Sequence, residues 1–532
     1  MAPQSKEIPI AMLRKRAAEC PDKIFLLSEA DGRHWSYPEF LSAVERTAGL
    51  LAARGIQKGD VVSLLLPNSA EYVIAFFACW HLGAVAGPIN SLLKREEIEW
   101  ATGNSESKLL FTTPGFAESL KGAAVPDLLL FDDADAATEN VAPQTTPADV
   151  APDDTAIIIY TSGTTGKPKG CMLTHANLAA NAVQIAEWMG FGPDDRLLTV
   201  MPLFHMNAVS VTTMSALYAG GSTVVSPKFS ASRFWQVIDK YQVTSFGSVA
   251  TMLSMLLAAH SEKQTETDDR SSLATHHSSL RFAMCGSAPV PVEVLRRFED
   301  TFGVLVIEGY GLSESTCRST FNPPDERRRP GSCGLPIGNE MRVVDDEDNE
   351  VPDGTLGEIV LRGPNIFKCY FRNPEATAEA FRGGWFHTGD IGYRDADGFY
   401  YIADRKSDMI IRGGENIYPR EIDDVLYTHP AVAHAAVIGV PDELYGEEVA
   451  AFIVLKEGYK QAETRPVGRG SDKTVSGHGI IDFCKLHLAD FKCPKHIYFV
   501  NEIPKGPTGK LLKRELAALL ASGAVESGEA KL

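Results

Sequence analysis

Tyr160 to Gly170 reads YTSGTTGKPKG, a run whose residue types suit a chain of phosphates. Gly163, Gly166 and Gly170 let backbone N–H groups approach an anion, and Thr161, Ser162, Thr164 and Thr165 add hydroxyl donors. Lys167 and Lys169 bring positive charge. The run is not a Walker A loop, because Gly163 and Gly166 stand too close together and Pro168 follows the first lysine where Ser or Thr is required. A plain Ser/Thr/Gly linker is the competing reading, and the flanks argue against it. Asp154 to Tyr160 contains three consecutive isoleucines and Cys171 to Leu173 is again apolar, so the loop joins two strands. Thr174 then caps a helix to Met189, closed by Gly190.

Other residues with chemical potential lie far along the chain. Glu308-Gly309-Tyr310-Gly311-Leu312-Ser313-Glu314 follows the apolar strand Val304 to Ile307, which puts it at a strand's C-terminal end, where open α/β sheets hold ligands. The strand Leu280 to Cys285 runs into Gly286-Ser287-Ala288-Pro289, a turn suited to close passage of a ligand. Asp390 ends the run Thr388-Gly389-Asp390, by itself an ordinary turn sequence. Lys510 ends the run Pro504-Lys505-Gly506-Pro507-Thr508-Gly509-Lys510 near the C-terminus. Taken singly, each has a bland alternative: a turn with a surface carboxylate, or a solvated terminal lysine.

In this order and combination the motifs resemble the adenylate-forming superfamily: acyl- and aryl-CoA synthetases, nonribosomal adenylation domains and beetle luciferases. The resemblance covers nearly the whole chain. It implies that the 160–170 loop grips the β- and γ-phosphates of ATP, that Tyr310 lies against the adenine with Glu308, Gly309 and Gly311 also cofactor-binding, and that Ser313 stands near phosphate and substrate carboxylate. Ser313 replaces the commoner Thr. Glu314, with Thr165, would bind Mg²⁺, a hard cation suited to phosphate oxygens plus one or two carboxylates. Asp390 would accept both ribose hydroxyls, Arg405 would also contact the ribose, and Lys510 would be the catalytic lysine of adenylation. Gly413 and Gly414 would let the pantetheine arm of coenzyme A pass close to the backbone. His205, in Met201-Pro202-Leu203-Phe204-His205, matches a position gating the acyl pocket. The family turns its C-terminal domain about a hinge two residues after the ribose-contacting arginine; Ser407 stands there in place of the usual Asp or Lys.

The elements that must position these groups can be read from periodicity. Alternating strand and helix signals over the first 150 residues (strand Lys23 to Leu27, helix from Ser36 to Gly55, strand Asp60 to Leu66, helix from Ser69 through Leu82) indicate a parallel sheet covered by helices. A second doubly wound α/β unit follows from Arg196, with a helix after Asn207, and His260 to Ser279 reads as a polar surface loop. Arg327, Arg328 and Arg329 read as a solvated basic run. Short strands broken by turns from Glu340 to Ile402 suggest a small antiparallel barrel or sheet. The expected organisation is an N-terminal ATP- and acyl-binding domain over 1–406 and a mobile α+β domain over 407–532 that carries the lysine.

Composition narrows the function classes. At 532 residues more than one domain is expected. A formal charge of −18 argues against a nucleic-acid surface. Nine cysteines scattered without a CxxC pair point to reduced thiols rather than disulfides or zinc. The longest apolar run, Tyr72 to Trp80, is too short to cross a bilayer, and the C-terminal GEAKL is no clean peroxisomal address, so the cytoplasm is expected. The leading expectation is an ATP- and Mg²⁺-dependent carboxylate–CoA ligase for a small, medium-chain or aromatic acid, with Ile366 to Pro374 and Arg412 to Asn416 hinting at carnitine- or crotonobetaine-like acids. Two alternatives stay open: transfer of the acyl group to a carrier protein, and an inactive nucleotide-binding homologue. Oligomeric state is not legible.

Overall fold

The computed structural model describes residues 7–161, 168–266, 279–287, 290–462, 474–506 and 511–522. Ser162, Gly163, Thr164, Thr165, Gly166 and Lys167 of the phosphate loop lie outside the described residues, as do Ala288, Pro289 and Lys510.

Two large sheets organise the chain. A seven-stranded sheet runs in the order Cys369–Tyr370, Lys169–Thr174, Thr155–Thr161, Val85–Pro88, Val61–Leu65, Leu109–Thr112, Asp127–Leu130. A nine-stranded sheet has a parallel centre in the order Leu305–Tyr310, Phe282–Cys285, Ser245–Ser248, Arg196–Thr199, Ser222–Val225, Ile24–Ser28. The Ala70–Leu82 helix touches strands of both sheets and is buried from Ala70 to His81, with Ser69 as its N-cap and Gly83 as its left-handed C-cap. A helix apolar on every side belongs between layers rather than on a surface. Its Trp80 indole donates to the Ala156 carbonyl at 3.1 Å, tying the layer to the strand that enters the phosphate loop.

The sequence reading assigns Lys23 to Leu27 to the first α/β unit, but the strand formed there pairs with Ser222–Val225, Leu26 opposite Thr223. Local periodicity identifies a strand and is silent on its sheet; here the chain starts in one sheet and leaves for the other. Part of the expected loop 260–279 is also helical, since the Ala250–Glu266 helix runs through its first turns. Asn207–Met214, expected as an ordinary helix, is a buried π-helical stretch. Such segments are rare and recur at functional sites. Arg327 is exposed, as a solvated run requires, but all three arginines are paired: Arg327 with Asp325 at 2.7 Å, the largely covered Arg328 with Glu299 at 2.5 Å, and Arg329 with Asp395 and Asp397 at 2.5 and 2.6 Å.

Glu340–Val344, Gly357–Arg362, Phe386–Arg394 and Tyr400–Arg405 form a four-stranded antiparallel sheet. It curls towards a barrel without a ladder between its outer strands; the Tyr400 hydroxyl donates to the Met341 carbonyl at 2.6 Å across the gap. Beyond it a five-stranded sheet built on Val432–Asp442 and Gly446–Leu455 has its own apolar clusters, one around Ile422, Leu426, Val437 and Ile453, the other around Phe452, Ile503 and Leu516. Among the described residues no helix is long and apolar enough to cross a membrane.

Candidate active site

The phosphate-loop stems form an antiparallel hairpin, with Thr161 opposite Lys169 and Tyr160 opposite Gly170. This is the strand–loop–strand arrangement read from the isoleucine run. At the mouth of the hairpin the Thr161 hydroxyl donates to Glu314 Oε1 at 3.4 Å, and the Tyr370 hydroxyl donates to the same oxygen at 3.0 Å. Lys169 Nζ lies 5.1 Å from the centre of the Tyr370 ring. Burial pushes the Glu314 carboxyl above its ordinary value, while its own backbone N–H, the Tyr370 hydroxyl, Arg405 and the Thr161 hydroxyl pull it back. Tyr370 is a residue that sequence reasoning did not assign to the site. It comes from the Cys369–Tyr370 strand, which pairs with the outgoing stem of the hairpin, Tyr370 opposite Cys171.

A second cluster forms beside it. Asp390 and Arg405 face each other across an antiparallel pair of strands, and Arg405 Nε lies 3.3 Å from Asp390 Oδ1. The Tyr310 hydroxyl donates to Asp390 Oδ2 at 2.6 Å. Thr388 fixes the turn, its hydroxyl accepting from the Asp390 N–H at 3.1 Å and donating to the Ile359 carbonyl at 2.7 Å. Burial works against the Arg405 charge, but Asp390 and Tyr310 outweigh it and hold the guanidinium above its ordinary pKa. Asp390 is 5 % exposed, and a carboxylate at that depth is retained only where donors surround it. Tyr310 and Arg405, far apart in sequence, thus share one acceptor.

Other expected positions lie elsewhere. Glu308 turns away from this cluster: its carboxylate accepts from the Gly331 N–H at 2.9 Å, and burial pushes it up to about 8, with the Gly331 N–H, Arg420 and Arg328 pulling the other way. Ser313 opens a short 3-10 turn, Ser313–Ser315, that carries Glu314. Ser287 follows the Phe282–Cys285 strand and Gly286 with φ at 70°, a strained left-handed conformation at the edge of the expected ligand turn. His205 is kept neutral, its pKa lowered to about 4 by burial, and its Nε2 has no hydrogen-bond partner. Gly413 and Gly414 make a hairpin turn between Ile410–Arg412 and Glu415–Ile417, where the Gly413 N–H donates to the Tyr445 carbonyl at 2.8 Å. No described contact joins that turn to Tyr310, Asp390 or Glu314.

Among the described residues no cluster of three or more His, Cys, Asp or Glu side chains could hold a metal. The donor set near the hairpin is a single carboxylate, Glu314. That fits a hard cation held largely by phosphate oxygens and does not fit a resident zinc or iron.

The hairpin stems thus bring Thr161 to Glu314, and Asp390 with Tyr310 and Arg405 forms a second buried cluster. Residues 13–371 match the model of the AMP-binding enzyme family, and residues 421–510 match the AMP-binding enzyme C-terminal domain. The chain belongs to the AMP-binding enzyme family. It is 38 % identical to a sulfoacetate–CoA ligase of Cupriavidus necator over 95 % of this chain and 96 % of that protein. An oxalate–CoA ligase of Arabidopsis thaliana is 36 % identical over 95 % and 97 %. Among solved structures, ATP-bound MatB from Rhodopseudomonas palustris superposes with a TM-score of 0.85 at 30 % identity, covering 96 % of this chain and 98 % of that one. With CoA ligases related along nearly its full length, the enzyme is an AMP-forming acid–CoA ligase.

Proposed function

We propose that the enzyme activates a small carboxylic acid with ATP, releasing pyrophosphate, and then passes the acyl group from the adenylate to coenzyme A. The observation that carries this reading is the shared acceptor Asp390, with Tyr310 and Arg405 on its two oxygens, lying beside the Glu314–Thr161 contact at the root of the phosphate loop. In this reading the ribose hydroxyls replace the Tyr310 hydroxyl on Asp390, Thr161, Lys169 and the 162–167 segment bind the β- and γ-phosphates, and Gly286 to Pro289 and Gly309 to Gly311 flank the adenine. Glu314 and Thr165 would hold Mg²⁺, which neutralises the triphosphate as pyrophosphate leaves. Lys510 would bridge the acid's carboxylate and the α-phosphate. His205, neutral and without a partner on Nε2, supplies a wall of the acyl pocket that adds no charge.

Residues 1–406 form the ATP- and acyl-binding domain in this reading, and residues 407–532 swing between adenylating and thioester-forming positions about Ser407. The separate apolar clusters of the C-terminal sheet support that division. In this reading Gly413 and Gly414 meet the pantetheine arm only in the second position. The cytoplasm, where CoA is available, is the proposed compartment. Transfer to a carrier protein is the weaker reading, because the relatives that match along the whole chain are named as CoA ligases. The acids in those two names, sulfoacetate and oxalate, each carry a second acidic group.

Incubating the enzyme with ATP, Mg²⁺, CoA and an acid panel tests the reaction. Stoichiometric AMP and a CoA thioester in the mass spectrum are expected for at least one acid. AMP accumulation with no thioester, together with acylation of an added carrier protein, would instead favour the carrier-protein reading.

A further inference from the structure

Arg318 is buried as deeply as the aromatic core, at 1 % exposure, yet among the described residues its Nε and Nη2 have no hydrogen-bond partner. No ion pair reaches it among the described residues. The titratable groups beside it are the thiols of Cys285 and Cys317, both pushed up by burial, Cys285 to about 12, and therefore neutral. The guanidinium lies 5.4 Å from the centre of the Phe321 ring, which supplies a face but no counter-charge. A buried cation is costly without an anion, and a Met or Leu would fill the same volume without that cost.

The surroundings show what the charge faces. A Cβ built on Gly286 would come within 2.7 Å of both Arg318 Nη1 and Nη2, so the arginine occupies room that only glycine leaves. Gly247, on the neighbouring strand, leaves similar room for Asn207: a Cβ there would lie 2.6 Å from Asn207 Oδ1. Gly247 pairs with Met284, two residues before Gly286, so both vacated positions fall on one face of the nine-stranded sheet. Asn207 is 4 % exposed, and both its amide oxygen and its amide nitrogen lack partners. It opens the π-helical stretch two residues after His205. A guanidinium with two unpartnered nitrogens and an unpartnered amide thus stand on one face at the C-terminal ends of adjacent parallel strands, beside the strand that ends at Tyr310.

We propose that Arg318, assisted by Asn207, receives a second, anionic group on the acid, so that the preferred substrate is a short carboxylic acid ending in a carboxylate or sulfonate. This rests on the acid–CoA ligase reading and adds the substrate class to it. The proposal favours a short acid because the Arg318 backbone packs against Gly311, next to Tyr310: a Cβ on Gly311 would lie 2.8 Å from Arg318 Cα. A guanidinium receives either oxyanion through paired N–H donors. It repels a trimethylammonium group, which sets the proposal against carnitine-like acids.

Acid-dependent ATP–pyrophosphate exchange with matched acids tests this: propionate against malonate and sulfoacetate, butyrate against succinate, and carnitine. The proposal expects at least one dianionic acid to exceed its monoacid in kcat/KM by about 10²-fold, the scale of a buried charge pair. Malonate and sulfoacetate distinguish carboxylate from sulfonate. R318M is expected to bring that ratio close to one, mostly through KM, and R318K to keep part of it. Preference of the unaltered enzyme for monoacids or carnitine overturns the proposal while leaving the ligase reading intact. So does an R318M variant that lowers every acid equally, since that marks a packing role. Absence of exchange with every acid would overturn the ligase reading itself. The preference of the unaltered enzyme decides the matter even if R318M fails to fold.

Discussion

Asp390 bears the densest set of contacts in the site. Its two oxygens are taken by Tyr310 and Arg405, and its N–H is fixed by Thr388. In the proposed reading a ligand diol displaces the tyrosine hydroxyl and reuses both oxygens, so replacing one acceptor oxygen by an amide nitrogen would remove an interaction with ATP. D390N is expected to raise the KM for ATP by about 10- to 100-fold, the equivalent of one hydrogen bond to a charged group. Steady-state kinetics with ATP varied checks this; an unchanged KM would place the ribose elsewhere. The TGD tripeptide and the YGxSE run are legible in the sequence as separate motifs. Tyr370 and Arg318 are not, because a lone tyrosine beside a phenylalanine and a lone arginine among small residues carry no spacing signal. Only the strand pairing of Tyr370 with Cys171 and the burial of Arg318 make them visible.

At the scale of elements, the hairpin that presents the phosphate loop follows directly from the isoleucine run and the apolar stem after Pro168. Helix caps were equally legible: Ser36, Ser69 and Thr174 all cap as their spacing predicts. Sheet membership was not, since the strand at Ile24–Ser28 finds its partner almost two hundred residues later. The π-helical stretch at Asn207 also escapes sequence reading, because its apolar content matches that of a normal helix. Glu308, at the end of a central strand, offers a test of the burial that holds these strands together. Its carboxyl titrates near 8 in the fold against 4.5 ordinarily, so the folded chain keeps a proton that the unfolded chain has released. Stability contributed by this group therefore falls as pH rises from about 5 to about 8 and is level above that. E308Q, neutral throughout, is expected to gain thermal stability relative to the unaltered enzyme across that window. Melting curves at stepped pH read the difference, and an E308Q effect independent of pH would contradict the burial assigned to Glu308.

At the scale of the whole molecule, the proposed reading has the site built by one part of the chain and completed by another. Asp404, beside Arg405, accepts from the Arg420 N–H at 3.0 Å, and Arg420 also donates to the Ile402 carbonyl. Lys513 in the last helix lies 3.2 Å from Asp423 and 3.9 Å from Asp404. The strand that carries Arg405 thus leads directly into contacts with the C-terminal unit, and any swing of that unit must exchange them. Ser407 stands between the two, its hydroxyl donating to Asp408 at 3.0 Å. Proline at 407 fixes φ and removes one of the backbone freedoms a hinge needs. S407P is expected to slow thioester formation at least about tenfold more than adenylation, roughly 1.4 kcal/mol of barrier. Rapid-quench measurement of each half-reaction separates them, and equal slowing of both would remove Ser407 as the pivot.

The central claim is that the C-terminal lysine completes an adenylating site assembled around Glu314 and Asp390. Carboxylate-dependent ATP–pyrophosphate exchange by K510A tests it most directly, with the unaltered enzyme and its best acid as reference. The account predicts a loss of at least about 10²- to 10³-fold, the scale for removing one transition-state stabiliser, with the melting temperature unchanged. Exchange by K510A at the unaltered rate would contradict it.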